Sequence, residues 1–154
     1  MTRARVIGLG QSAAGDDGVG VAVVRALRER GLPSGVEVHH LSDPSALAAL
    51  LDPNVPVVIV DAVLGSSPGE LVALTPDELA THAPLRVSSH GLGITEAIGL
   101  ARVLDAGADL PVVRIVAVTI TRPAGYREGL SAEVAAAVPR AADRVLQLLE
   151  VDHP

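Results

Sequence analysis

The chain has 154 residues, enough for one ordinary domain that buries about 68–70% of its unfolded surface around a single core. Its formal charge of −6 argues against a nucleic-acid partner, which needs a basic face, and the absence of cysteine excludes disulfides, thiolate metal sites and a cysteine nucleophile. With no Phe, no Trp and a single Tyr, Tyr126, the core has to be assembled from Val, Leu, Ile and Ala.

Thr2, Arg3 and Arg5 lead straight into a short strand rather than into an apolar segment with a cleavage site. No apolar run reaches the ~18–20 residues of a membrane span. A soluble cytoplasmic protein without a membrane partner is expected.

In chain order, Val6-Ile7-Gly8-Leu9-Gly10 reads as a strand closing on glycine. Val19 to Arg30 carries apolar residues at helical spacing, stopped by Gly31 and Pro33. Val36 to Leu41 is a second strand, and Pro44 to Leu51 a short helix capped by Ser42 or Asp43. The run Val55 to Asp61 is the most continuous apolar stretch and predicts a central strand, buried on both faces, that ends at Asp61.

After the Gly65–Gly69 turn, Glu70 to Leu74 is strand-like. Thr75-Pro76-Asp77-Glu78 then forms a capping box with Pro at the first helical position. Ile94 to Ala106 predicts a helix and Val112 to Ile120 a strand. Ser131 to Leu149 predicts a long terminal helix, kinked or broken at Pro139. This alternation of strand and helix, with short links, predicts one α/β domain over residues 1–154, its sheet covered by helices on both sides.

In open α/β sheets ligands gather beyond the carboxyl ends of the strands, and three features fall there. Gly15-Asp16-Asp17-Gly18 follows the first strand and opens a helix. Acids at a helix start also stabilise its dipole by roughly 0.3–1 kcal/mol without any catalytic role. The loop is no phosphate cradle, because two carboxylates repel phosphate and no Lys follows.

Asp61 ends the apolar strand, where a carboxylate is costly unless it is paired, hydrogen-bonded, metal-bound or capping a turn. His90, within Ser88-Ser89-His90-Gly91-Leu92-Gly93, sits in a loop whose Ser and Gly residues let the ring reach a cleft. His39 and His40 share a strand in which only one can face inward. His82 and His153 are weaker candidates still.

Two carboxylates and an imidazole suit nickel, zinc, manganese or iron about equally, and three protein ligands leave coordination positions open. Asp17, Asp61 and His90 are therefore expected to converge at one edge of the sheet. Asp17 is expected to face the cleft while Asp16 caps the helix, since adjacent residues at a loop–helix junction point in different directions.

The succession GLGQ…GDDGVG, VDAVLGSSPGEL, SSHGLG and LPVVRIVAV…GLSAEVAAAVP, from Val6 to about Leu149, resembles the hydrogenase maturation protease family in that order. The resemblance implies a three-layer α/β/α sandwich with a twisted, mostly parallel five-stranded sheet. It implies an endopeptidase that removes the C-terminal extension of a nickel–iron hydrogenase large-subunit precursor once nickel is inserted. The nickel is then presented by the substrate rather than kept as a permanent cofactor. By the same resemblance Asp17, Asp61 and His90 bind the metal and form the catalytic site. No nucleophile-elbow signature is present, so attack of water on the scissile amide, with a carboxylate as general base, is the expected chemistry. The family usually carries Asn where this chain has Gln11, which puts the role of that loop in question.

The precursor is the expected partner, and the protein a monomer or weak oligomer. Two other readings stand beside this one. A peptidyl-tRNA hydrolase-like esterase also opens with GLG after a first strand, but the acidic balance opposes it. A non-catalytic nickel metallochaperone or assembly factor would use the same trio.

Overall fold

A computed structural model describes residues 1–11, 15–81, 91–104, 110–121 and 129–151. Five strands, β1 (Ala4–Leu9), β2 (Val36–Leu41), β3 (Val57–Leu64), β4 (Leu71–Leu74) and β5 (Val113–Ile120), form one sheet in the order β2-β1-β3-β5-β4. All neighbours are parallel except β4, which pairs antiparallel to β5 along the far edge. Among the described residues four α-helices accompany them: α1 (Val19–Arg30), α2 (Pro76–Thr81), α3 (Gly91–Leu104) and α4 (Ala132–Val151). The described residues also form 3-10 turns at Gly15–Gly18 and Pro44–Leu50.

The period of two along each strand divides the core between the faces. Val58, Val60 and Ala62 of β3 join Val116 and Val118 of β5 under α1 and α4. Val57, Ile59 and Val63 join Ile115 and Ala117 under α2, α3 and the Pro44–Leu50 turn. This is the α/β/α sandwich expected. Helix α1 buries Val19, Val23 and Leu27, spaced four residues apart along one stripe. Each such side chain stabilises the fold by roughly 1.5–3 kcal/mol relative to exposure. Gly31, at φ +84, ends the helix as predicted.

Several boundaries differ from the sequence reading. Strand β3 runs to Leu64, because Ala62, Val63 and Leu64 continue the ladder against Val118, Thr119 and Ile120 of β5. Asp61 therefore lies inside the strand and does not end it. The polar residue interrupts the apolar run but not the backbone pairing, which sees only N–H and C=O groups. Helix α4 passes through Pro139 without a break. The apolar stripe Val134, Ala137, Ala141, Val145 and Leu149 is buried on both sides of it, and this packing outweighs the lost backbone bond. Helix α3 begins at Gly91, three residues before the expected start.

The capping box forms in both directions. Thr75 N–H donates to Glu78 Oε1 (3.1 Å), and Glu78 N–H donates to Thr75 Oγ1 (3.2 Å). Asp43 rather than Ser42 caps the 3-10 turn, accepting the Ser45 N–H at 2.8 Å.

Candidate functional site

The chain leaves β1 through α1 to reach β2 on one side, whereas β3 lies on the other side of β1. The carboxyl ends of β1 and β3 therefore flank the point where the winding reverses, the general location of ligand sites in open α/β sheets.

Close backbone packing shapes this end. The Cα of Gly20, in the first turn of α1, lies against the carbonyl oxygens of Leu9 and Val60, and a Cβ built there would come within 2.7 Å of the latter. Glycine lets α1 press against the exits of both strands. Gly10 has φ +124 and lies on the Asp17 carbonyl oxygen, with which any Cβ would overlap. Both conditions demand glycine.

The Gly15–Gly18 turn packs against β3, so the turn carrying Asp17 meets the strand carrying Asp61. The neighbouring acids of the turn have separate partners. Asp16 reaches across 115 residues of sequence to the start of α4, where its Oδ1 accepts the Ser131 N–H (2.6 Å) and its Oδ2 the Ser131 hydroxyl (2.9 Å). It braces a helix, though α4 rather than the α1 that follows it. Asp17 turns the other way, toward the first loop, and its Oδ2 accepts the Gln11 backbone N–H at 3.4 Å. That contact uses the main chain, which Asn and Gln supply equally, so Gln11 in place of Asn leaves it intact.

Asp61 is 1% exposed, the one buried ionisable residue of the described core. Alternation along β3 turns its side chain to the α2–α3 face, with Val57, Ile59 and Val63. One lone-pair requirement is met locally. Pro56 O accepts the Arg5 N–H at 2.9 Å, so even-numbered peptide groups of β3 face β1. Ala62 falls on that edge, two residues past Val60, the last residue of β3 in register with β1. Its N–H is taken instead by Asp61 Oδ1 at 2.8 Å. The end of β1 thus leaves a backbone donor that one oxygen of the Asp61 carboxyl satisfies.

The other buried polar side chain, Thr119, is structural: its hydroxyl donates to Ser67 O (2.6 Å) and accepts the Glu70 N–H (2.8 Å), fixing the turn before β4.

His90 lies outside the described residues, as do Ser88, Ser89, His82 and His153. Among the described residues no three His, Asp or Glu side chains form a metal-binding group. The two strand histidines point to different tasks. His39 Nε2 stands 3.7 Å from Glu37 Oε1, while His40 Nε2 lies 2.7 Å from Gly10 O, at the loop that carries the Asp17 contact. Sequence reasoning passed over His40, although a histidine ending the strand beside a Gly-Leu-Gly loop is a usable signal. A groove of about 420 Å³ lined by Arg3, Leu32, Val36, Leu146 and Leu149 lies at the opposite, amino-terminal edge of the strands, away from both carboxylates.

Comparison with known proteins identifies the family. The family model described as hydrogenase maturation protease matches residues 21–148. Protein FrxA of Pyrococcus furiosus is 34% identical over 138 residues, covering 88% of this chain and 96% of its own length. The [NiFe] hydrogenase maturation protease HybD from Thermococcus kodakarensis is 26% identical with a TM-score of 0.75, covering 96% of this chain and 99% of its own. The hydrogenase maturating endopeptidase HybD from E. coli shares the fold, with a TM-score of 0.77 at 24% identity over 99% of this chain and 94% of its own. With the family model covering most of the chain, the protein belongs to the hydrogenase maturation protease family and is a peptide hydrolase.

Proposed function

We propose that this protein removes the C-terminal extension of a nickel–iron hydrogenase large-subunit precursor after nickel insertion, recognising the nickel held by that substrate. The observation that carries the reading is the buried Asp61 carboxylate at the β1–β3 switch point, with the turn bearing Asp17 packed against its strand. Helix α3 opens at Gly91, the residue after His90, and packs on the face to which Asp61 points. His90, which precedes this helix in the sequence, is the third ligand on this reading.

Asp17, Asp61 and His90 together offer oxygen and nitrogen donors without thiolates, a modest and unselective site for a divalent ion. Such a site grips an ion better when the ion arrives on another protein's ligands, since the shared bonds add affinity only for the loaded precursor. Cleavage then follows by addition of water across the scissile amide. The hydroxyl goes to the carbonyl carbon and a proton to the leaving nitrogen, with a carboxylate of the site as general base. On this reading the reaction belongs to the cytoplasm; no described helix is long and apolar enough to cross a membrane.

The test is to strip the protease with chelator, remove the chelator, and add nickel-loaded or nickel-free precursor. A shorter product from the loaded form alone supports the reading. Efficient cutting of the nickel-free form, or a need for metal pre-loaded on the protease, overturns it. Tight binding without any cleavage makes the protein a nickel metallochaperone.

A further inference from the structure

Gly10 creates a difficulty that the residues around it answer. Its positive φ and its contact with the Asp17 carbonyl oxygen require glycine, yet glycine is the residue least able to hold the following peptide plane in one orientation. That plane matters, because its N–H end, the Gln11 amide, is the donor that meets Asp17 Oδ2 at 3.4 Å. Its C=O end is Gly10 O, which lies 2.7 Å from His40 Nε2. One rigid peptide unit therefore has His40 at one end and the Asp17 carboxylate at the other.

We propose that His40 is a positioning residue for Asp17, acting through the Gly10–Gln11 peptide. The carbonyl oxygen can only accept, so His40 Nε2 carries the proton and donates, in either the neutral Nε2–H tautomer or the imidazolium. The bond pulls electron density toward Gly10 O and makes the Gln11 N–H at the other end a better donor, as linked hydrogen bonds polarise one another. A second tie from the same strand end, Gly10 N–H to Leu41 O at 3.1 Å, holds the preceding peptide. Edge strand β2 thus templates the loop on both sides of Gly10. Register places His40 opposite Gly8, two residues short of the carbonyl it meets, so the ring has only to lean along the strand direction.

The inference rests on Asp17 being a working carboxylate, and the experiment separates the two. Wild type, His40→Ala, His40→Gln and Asp17→Asn are compared in two assays. The first follows cleavage of nickel-loaded precursor, with kcat and KM resolved. The second records the Gln11 amide signal in the ¹⁵N–¹H spectrum of the protease alone. Gln places its own Nε2 donor where the ring nitrogen stood.

His40→Ala is expected to move the Gln11 amide proton upfield, as Asp17→Asn does, and to lower kcat/KM on the order of tenfold, the factor carried by about one net hydrogen bond. His40→Gln is expected to restore both to within about twofold of wild type, again the scale of a fraction of one bond. A Gln11 signal unmoved in His40→Ala, or a Gln variant no better than Ala in both assays, overturns the positioning role. If Asp17→Asn cleaves normally while the Gln11 signal still responds to His40, the relay stands and the reading of Asp17 as a working group falls.

Discussion

On one face of the sheet, α1 and α4 are bound to each other and to neighbouring turns by polar ties. Arg30 meets Asp143 and donates to Pro139 O at 3.2 Å, and Arg140 donates to Gly69 O at 2.8 Å. Asp16 secures the first residue before α4. Beneath these ties lies a close-fitting layer of Val and Ala, including Ala137, Ala141 and Ala142, all fully buried. On the opposite face, the one to which strand alternation turns Asp61, α2 and α3 pack through Leu79, Ile94, Ala97 and Ile98. That layer also leaves Leu100, Val103 and Leu104 exposed, the latter two by more than 70%. On the proposed function the sheet separates two duties: one face carries the scaffold and the other faces the chemistry. The adjacent acids Asp16 and Asp17 straddle the division, one bracing the scaffold and the other turned to the cleft loop.

The strongest way to break the comparison is to remove a carboxylate from the chemical side. Asp61→Asn and Asp17→Asn should each lower precursor processing by about a hundredfold or more, the scale of losing a group that acts in the transition state. A denaturant melt of each should stay close to wild type. A variant that loses most of its folding free energy instead would make that carboxylate structural.

On the scaffold side the expected pattern inverts. Ala142→Leu forces extra methylenes into a filled layer and should cost about 1–3 kcal/mol of stability. Processing by the folded fraction should remain at the wild-type rate. A specific loss of turnover would show that the α1–α4 layer reaches the reaction.

Asp16→Asn sharpens the division at its boundary. It weakens a bidentate grip on Ser131 and should cost about 1–2 kcal/mol, as loss of a good helix cap does, read as a lowered Tm. Processing near wild type is expected. A processing defect larger than that of Asp17→Asn would reverse the assignment of the pair.

The smallest effect concerns the edge strand. A hydrogen bond from Thr2, foremost, and then the guanidinium of Arg5 at 3.2 Å hold the Glu37 carboxyl below its ordinary value, outweighing an opposing effect of desolvation. A lowered folded-state value means a contribution that is fully present above the ordinary carboxylate range and lost as pH falls through the lowered value. The stability gap between wild type and Glu37→Gln should therefore be visible at neutral pH and close on acidification below about pH 4, where free carboxylates protonate. A gap that widens in acid would show that the contacts favour the protonated form.

Helix α1 and strand β2 have the bounds that local pattern predicts, Val19–Arg30 and Val36–Leu41. Their apolar spacing and the Gly31–Pro33 stop are properties of neighbouring residues. The capping box at Thr75 and Glu78 was legible for the same reason. The candidates Asp17 and Asp61 could be named because a polar residue after a glycine loop or within a Val–Ile run stands out against its neighbours.

What local pattern could not contain is anything set by a partner far along the chain. That Asp61 lies inside β3 depends on β5 continuing beside it to Ile120. That its carboxylate finds a free N–H depends on β1 ending sooner. That Asp16 braces α4 rather than the helix that follows it depends on the approach of Ser131. His40 became relevant because parallel pairing laid the end of β2 beside Gly10. Spacing along one element is decided by covalent geometry and hydrophobic period. The working direction of a side chain is decided by which distant backbone groups folding brings against it.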